Sequence, residues 1–271
     1  MAGGTCDDPA RANRDMSNSI LDRPAGAGES APRCVLVAGA SGGIGAAICT
    51  QITHSFPTAK IVRMARDPAA LGPLTAASAD ISLDIAEEKQ IRDAVARIPE
   101  TPPIDWIFAA TGWLHDADHR PEKTYKSLDA DHLLHAYRIN AVGPALLLKH
   151  LIPRLNPANA CRVGIISARV GSISDNRLGG WHAYRASKAA LNMLIKNFAI
   201  ELTRKKTSHI VVGLQPGTTD TALSAPFQRN VPKGELQTPE YTATQLVRVI
   251  QKLRPEDSGE LFDFLGMRFE P

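Results

Sequence analysis

Tyr184 and Lys188 stand four residues apart in Tyr184-Arg185-Ala186-Ser187-Lys188. On a helix, residues at that spacing share one face. A phenol with a pKa of about 10 is a poor proton donor or acceptor at neutral pH. An ammonium beside it favours the phenolate and lowers that pKa. The pair reads as an acid–base centre. A second group lies near the start of the chain, in Val37-Ala38-Gly39-Ala40-Ser41-Gly42-Gly43-Ile44-Gly45. Glycines at 39, 43 and 45 give a tight turn its backbone freedom and let a pyrophosphate approach main-chain N–H groups. A helix opening at Gly43 adds free N–H donors and the positive end of its dipole.

The elements that would position these groups alternate along the chain. Strand-like runs are Cys34–Ala40, Lys60–Ala65, Ile81–Ile85, Asp105–Ala110, Arg162–Ser167, His209–Leu214 and Leu261–Leu265. Helix-like runs are Gly43–Ile52, Glu87–Ile98, Ala130–Leu155, Tyr184–Leu202 and Pro239–Leu253, with Pro144 and Pro153 marking kinks or ends in the third. This alternation predicts an α/β fold: one doubly wound Rossmann domain, a mostly parallel seven-stranded sheet, and helices on both faces.

The spacing G-x-x-x-G-x-G, followed far downstream by Y-x-x-x-K, resembles the short-chain dehydrogenase/reductase family. The resemblance runs over residues 33–265. It implies an enzyme that interconverts a carbonyl and an alcohol by hydride transfer with a nicotinamide cofactor, Tyr184 acting as acid/base. It places the cofactor's adenosine and pyrophosphate on Gly39, Ser41, Gly42, Gly43, Ile44 and Gly45. Lys188 would also hold the nicotinamide ribose, and Asn140, in Tyr137-Arg138-Ile139-Asn140, would anchor a proton-relay water. Asp84 and Ile85 resemble an adenine-touching pair. Ala109-Ala110-Thr111-Gly112 stands where the family has Asn-Asn-Ala-Gly, so Ala110 and Gly112 keep a main-chain role while the asparagine side chains are missing. Pro216, Gly217, Thr219 and Thr221 resemble the family's Pro-Gly-x-x-x-Thr at the nicotinamide carboxamide.

The family's serine is displaced. Aligned on Gly171, its place falls on Ala168. Ser172, 12 residues before Tyr184, ranks above Ser167 as the substitute. After the second strand, the acid that NAD enzymes use for the ribose hydroxyls is preceded by Arg66, which can fork onto a 2′-phosphate. NADP(H) is favoured, with NAD(H) as the alternative, and Arg63 is expected to point elsewhere. A substrate lid is expected over about 222–237, with Leu223 and Phe227 on the substrate side and Trp113 and Trp181 either there or in the packed core. Within the family, GSISDNRLGGWHAYRASKAALNM is similar to the C-factor and sniffer-type carbonyl reductase branch. A cofactor-binding signalling protein with little turnover is therefore the alternative function.

The 271 residues carry a net charge of +3 with both signs interspersed, which makes no case for nucleic acid or an anionic membrane as partner. No apolar run reaches the roughly 18 residues of a transmembrane helix. Residues 1–32 lack the apolar segment of a secretory signal and read as a loose, disordered tail before a domain spanning 33–271. Cys34, Cys49 and Cys161 read as buried, reduced thiols, consistent with a cytoplasmic protein. The eight histidines, including His132 and His135 on one helical face, show no metal-ligand spacing. The family resemblance implies a homodimer or homotetramer packed through the Ala130–Leu155 and Tyr184–Leu202 helices.

Overall fold

The computed structural model describes residues 19–24, 30–155 and 160–271. The chain runs through β1 (Cys34–Ala38), α1 (Gly43–Ser55), β2 (Lys60–Ala65), β3 (Ala77–Ser82), α2 (Glu88–Ala96), β4 (Trp106–Ala109), α3 (Ala130–Tyr137), α4 (Gly143–Leu151), β5 (Arg162–Ile166), α5 (His182–Arg204), β6 (Ile210–Gln215), α6 (Pro239–Lys252), β7 (Leu261–Asp263) and β8 (Arg268–Phe269). The strands form one sheet in the order β3-β2-β1-β4-β5-β6-β7-β8. Every pairing is parallel except β7 with β8. The strand order reverses between β1 and β4, the place where a doubly wound sheet opens a crevice for a ligand.

Side chains alternate across the sheet and divide the core into two layers. Leu36, Ile107 and Val163 pack towards Ile91, Leu148 and Leu191 of α2, α4 and α5. Val35, Val37, Phe108 and Val212 pack towards Ile48, Ile52, Leu246 and Ile250 of α1 and α6. The central strand β1 is buried along its whole length, as a strand covered on both faces must be.

The doubly wound prediction holds, and the boundaries differ in informative places. An eighth strand, only two residues long, turns back on β7. The third strand ends at Ser82, so Asp84 and Ile85 lie beyond it. Helix α5 starts at His182, two residues before Tyr184. Residues 19–24, read from sequence as loose tail, are docked. Ile20 is buried and its N–H bonds Gly266 O, while Arg23 forks onto Asp257 at 2.6 and 2.9 Å. Residues 1–18 and 25–29 of that tail lie outside the described residues.

The run 130–155 is not one helix. A π-helical turn, Arg138–Val142, separates α3 from α4, and a 3-10 turn at Ile152–Arg154 contains Pro153. Pro144 has no N–H, so the ordinary i→i−4 donor to the Asn140 carbonyl is missing, and the Gly143 N–H reaches back to Arg138 O instead. Apolar periodicity does not register a shift of one residue. Gly143 holds this junction against the Ile85 backbone: an added Cβ would run into Ile85 O and sit 2.7 Å from Ile85 Cγ1. Gly143→Ala is expected to lose about 1–3 kcal/mol of stability, read as a lower urea midpoint at unchanged slope.

Candidate active site

The glycine turn and the end of β4 build one wall of the crevice. Gly39 takes a φ of +85°, which L side chains rarely adopt, and a Cβ there would lie 2.8 Å from the carbonyl of Ala110. The Ala110 N–H donates to Ala38 O at 2.8 Å, locking the two strand ends together. Gly45 is buried with no room for a side chain against Gly39 O. Ser41, Gly42 and Gly43 are exposed, Ile44 is half-buried, and the first turn of α1 receives no side-chain cap. Its N–H groups are left for a ligand. The Thr111 hydroxyl, next to Gly39, is buried without a hydrogen-bond partner among the described residues. Backbone clearance, uncapped donors and an orphaned hydroxyl fit a dinucleotide.

Thr221 closes the crevice from the other side, its methyl group lying where a Gly43 Cβ would be. Gly217 turns at φ +75° after Pro216 and packs under the Gln237 side chain. Thr219 departs from the role expected for it. Its hydroxyl is buried against Thr242 Oγ1 at 2.9 Å and is not available to the crevice. Beyond β3, the Asp84 carboxylate closes a turn on the Ala86 N–H, while Ile85 joins the core.

Arg63 and Arg66 separate as strand alternation requires. Arg63 is buried and forks onto Asp80 at 2.5 and 2.7 Å, with a third bond to Gly72 O. Arg66 is exposed and makes no ion pair among the described residues. The neighbouring acid, Asp67, accepts from the Ala69 N–H and caps a short 3-10 turn.

Tyr184 and Lys188 sit on α5. Lys188 is 2% exposed, and its Nζ donates to Ile166 O, at the end of β5, at 2.8 Å. It lies 5.8 Å from the centre of the half-buried Tyr184 ring. The pKa balance differs from the sequence expectation. Burial pushes the Tyr184 phenol up to about 12 and the Lys188 ammonium down to about 8. Desolvation penalises the charged form of each.

Asn140 is 0% exposed and grips the backbone of Trp113. It accepts from the Trp113 N–H and donates to the Trp113 carbonyl, both at 2.8 Å, with a further bond to Ser187 Oγ at 3.0 Å. A Cβ on Gly112 would lie 3.8 Å from Asn140 Oδ1 and 3.9 Å from Lys188 Nζ, so Gly112 sits between them at the crevice.

Neither serine is free. Ser167 Oγ donates to Asn192 Oδ1 at 2.6 Å within the buried interface with α5. Ser172 is buried, its hydroxyl engaged by Ser174 Oγ and the Asp175 N–H at 3.2 Å each.

Trp181 and Phe227 do meet, and His115 links them to the Leu223 backbone. The Trp181 ring is 6.3 Å from Tyr184 and 4.9 Å from Phe227, and His115 faces Phe227 while its Nε2 bonds Leu223 O at 3.1 Å. The segment 222–237 is anchored at its far end by the Thr219–Gln237 bridge. Trp113 does not join this wall. Its indole is turned among His119, His132 and His135 and bonds Asp116 Oδ2 at 3.3 Å. No group of three or more His, Cys, Asp or Glu among the described residues could hold a metal ion.

Sequence reading passed over Glu122. It is 3% exposed, its carboxylate accepts from the Ala183 N–H at 3.2 and 3.3 Å, and its carbonyl accepts from the Trp181 N–H at 2.5 Å. It sits in an irregular segment with no periodicity to mark it.

The desolvation of Lys188 has a measurable consequence. The folded amine holds its proton less tightly than the unfolded one, so between pH 8 and 10.5 unfolding takes up a proton and rising pH stabilises the fold. Lys188→Met should be the more stable protein below pH 8, by on the order of 3 kcal/mol before the lost Ile166 bond is counted. That advantage should fade as pH rises towards 10.5. Urea unfolding of both proteins across this range is the check.

Comparison with known proteins agrees with this geometry. The short chain dehydrogenase family model matches residues 33–232. The chain is 34% identical over 230 residues to the 1-hydroxy-2-glutathionyl-2-methyl-3-butene dehydrogenase of Rhodococcus sp. (strain AD45), covering 83% of this chain and 93% of that one. It is 33% identical over 139 residues to the C-signal protein of Myxococcus xanthus, covering 51% of this chain and 78% of that one. The fold superposes on the carbonyl reductase Sniffer of D. melanogaster with a TM-score of 0.75 at 20% identity, covering 88% and 99% of the two chains. For an NADPH-bound carbonyl reductase from chicken fatty liver the TM-score is 0.74 at 23% identity, with the same coverage. The chain belongs to the short-chain dehydrogenase family of NAD(P)H-dependent oxidoreductases.

Proposed function

We propose that the protein interconverts a carbonyl and an alcohol with NADP(H), Tyr184 serving as the acid and base. The observation that carries this reading is the placement of half-buried Tyr184 and buried Lys188 on one face of α5, beside a crevice lined largely by backbone. When bound, the nicotinamide exchanges a hydride with the substrate carbon.

The chain's own groups do the rest. The raised pKa keeps the Tyr184 phenol protonated at neutral pH, and in the reducing direction its proton goes to the substrate oxygen, forming the alcohol O–H as the carbonyl π bond breaks. Lys188, mostly charged at pH 7 with a pKa of about 8, stabilises the phenolate that is left. Asn140 holds the backbone that flanks this pair. Ser167 and Ser172 are engaged elsewhere, and Ala168 stands where the family's serine would be, so the substrate oxygen takes its hydrogen bond from Tyr184. Trp181, Leu223 and Phe227 exclude water and favour an apolar or aromatic group next to the carbonyl. Exposed Leu134, Val142, Met193 and Ile200 on the α3–α4 and α5 segments support a homodimer or homotetramer packed through those helices.

Oxidation of NADPH should be followed across aldehydes, ketones and quinones, with alcohols bearing a glutathione thioether in the reverse direction, a choice suggested by the Rhodococcus relative. Tyr184→Phe should cut kcat by about 10²- to 10⁴-fold. A folded protein that turns over none of these would favour a cofactor-binding regulator, the reading that similarity to the C-signal protein supports.

The unpaired Arg66, next to an acid already spent as a cap, supports NADP(H) over NAD(H). Arg66→Glu should raise the KM for NADPH by roughly 10- to 100-fold, the loss of a charge-assisted bond, and leave that for NADH within about threefold. Initial rates with both cofactors decide this, and equal effects on the two would point to NAD(H).

A further inference from the structure

The first turn of α5 is built without the usual device. Its N-cap position is Trp181, which offers no side-chain cap and adopts a left-handed conformation, φ 50° and ψ 43°. Gly179 and Gly180 before it also have positive φ, which glycine tolerates and tryptophan does not. Something outside the helix must hold this conformation in place. Glu122, 61 residues before Ala183, is in contact with it at two points. Its backbone carbonyl takes the Trp181 N–H, and its carboxylate takes the Ala183 N–H. A buried carboxylate is costly unless it is hydrogen-bonded and charge-compensated, and a helix N-terminus supplies both.

Of what Glu122 holds, Ala183 is buried, while Trp181 and Tyr184 on either side of it are half-buried. The Trp181 indole reaches out to Phe227 and Tyr184, and Tyr184 is the residue after Ala183. We propose that Glu122 is a positioning residue, which fixes the first turn of the catalytic helix and thereby sets both the Tyr184 phenol and the Trp181 wall of the substrate pocket. This rests on the carbonyl–alcohol reading of the site. The carbonyl at 122 would serve in any residue, whereas the cap on Ala183 needs an acceptor at the end of a two-methylene side chain. Gln offers that acceptor without charge. Asp keeps the charge and falls short.

The test compares Glu122→Ala, Glu122→Gln and Glu122→Asp with the parent in three measurements: amide exchange at residues 181–184, NADPH affinity, and steady-state reduction of the best carbonyl substrate. Glu122→Ala and Glu122→Asp are expected to lose protection at Trp181 and Ala183. They should lose at least about tenfold in kcat/KM, with KM raised as well as kcat lowered, the scale of effect that small misplacements produce. NADPH affinity should stay within about twofold, since α1 and its turn are untouched. Glu122→Gln should keep the protection and recover kcat/KM to within about threefold. Parent-like exchange or parent-like kcat/KM in Glu122→Ala overturns the proposal. So does a Glu122→Gln as impaired as the alanine variant, or an activity loss that matches only the fraction of protein still binding NADPH. If Glu122→Ala does not fold, the contrast between Gln and Asp decides. If the parent itself reduces no carbonyl, the carbonyl–alcohol reading fails by itself, and the exchange pattern still decides whether Glu122 holds the helix start.

Discussion

A primary amine kept out of water is the constraint from which the site is built. Lys188 is among the largest fully buried side chains, and burial disfavours its charge. The fold answers with one carbonyl, Ile166 O, which is available because β5 ends there. The turn after β5 must then pass close to the lysine, and Gly171 allows it: a Cβ there would sit 2.7 Å from Lys188 Cβ. Arg185, one turn earlier on α5, bonds Val170 O and ties the same turn to the helix. Strand end, turn and helix are thus fixed relative to one amine, and the phenol four residues away inherits their rigidity.

The remainder of the crevice is made from main chain, and each close approach removes a side chain from one partner. Gly39 lets the first turn touch Ala110, Gly43 lets Thr221 close over α1, and Gly143 lets the π turn rest on Ile85. Asn140 is the exception, a side chain that imitates a strand by accepting from and donating to one residue, Trp113. Its place on a π turn follows from Pro144, whose missing N–H breaks the helical ladder at that carbonyl. The helix irregularity and the grip on the crevice backbone therefore occur at one residue.

What the sequence made legible was local. Tyr184 and Lys188 are linked by helical periodicity, the glycine turn by short spacing, and the separation of Arg63 from Arg66 by strand alternation. What stayed hidden depends on pairs far apart in the chain. The cap from Glu122 to Ala183, the Thr219–Thr242 bond and the docking of Ile20 on Gly266 leave no periodic mark. Trp113 carried the same compositional signal as Trp181, yet one faces three histidines and the other Phe227. Only the loop's path separates them. The two-residue strand β8 falls below the length at which alternation can be read.

The sign of the Tyr184 shift shows what spacing alone leaves out. An ammonium one helical turn away argues for a lowered pKa, and the argument holds in a medium where both charges are solvated. Here the same packing that brings the amine near also strips water from the phenol, and desolvation is the cause of the shift in each group. The free protein consequently stores its proton on the tyrosine, poised as an acid. A phenolate becomes favourable once further positive charge or hydrogen-bond donors enter the crevice, so occupancy of the crevice and the protonation state of Tyr184 are coupled. The burial that raises the phenol's pKa in the free protein is then the same feature that makes its acidity responsive to what binds beside it.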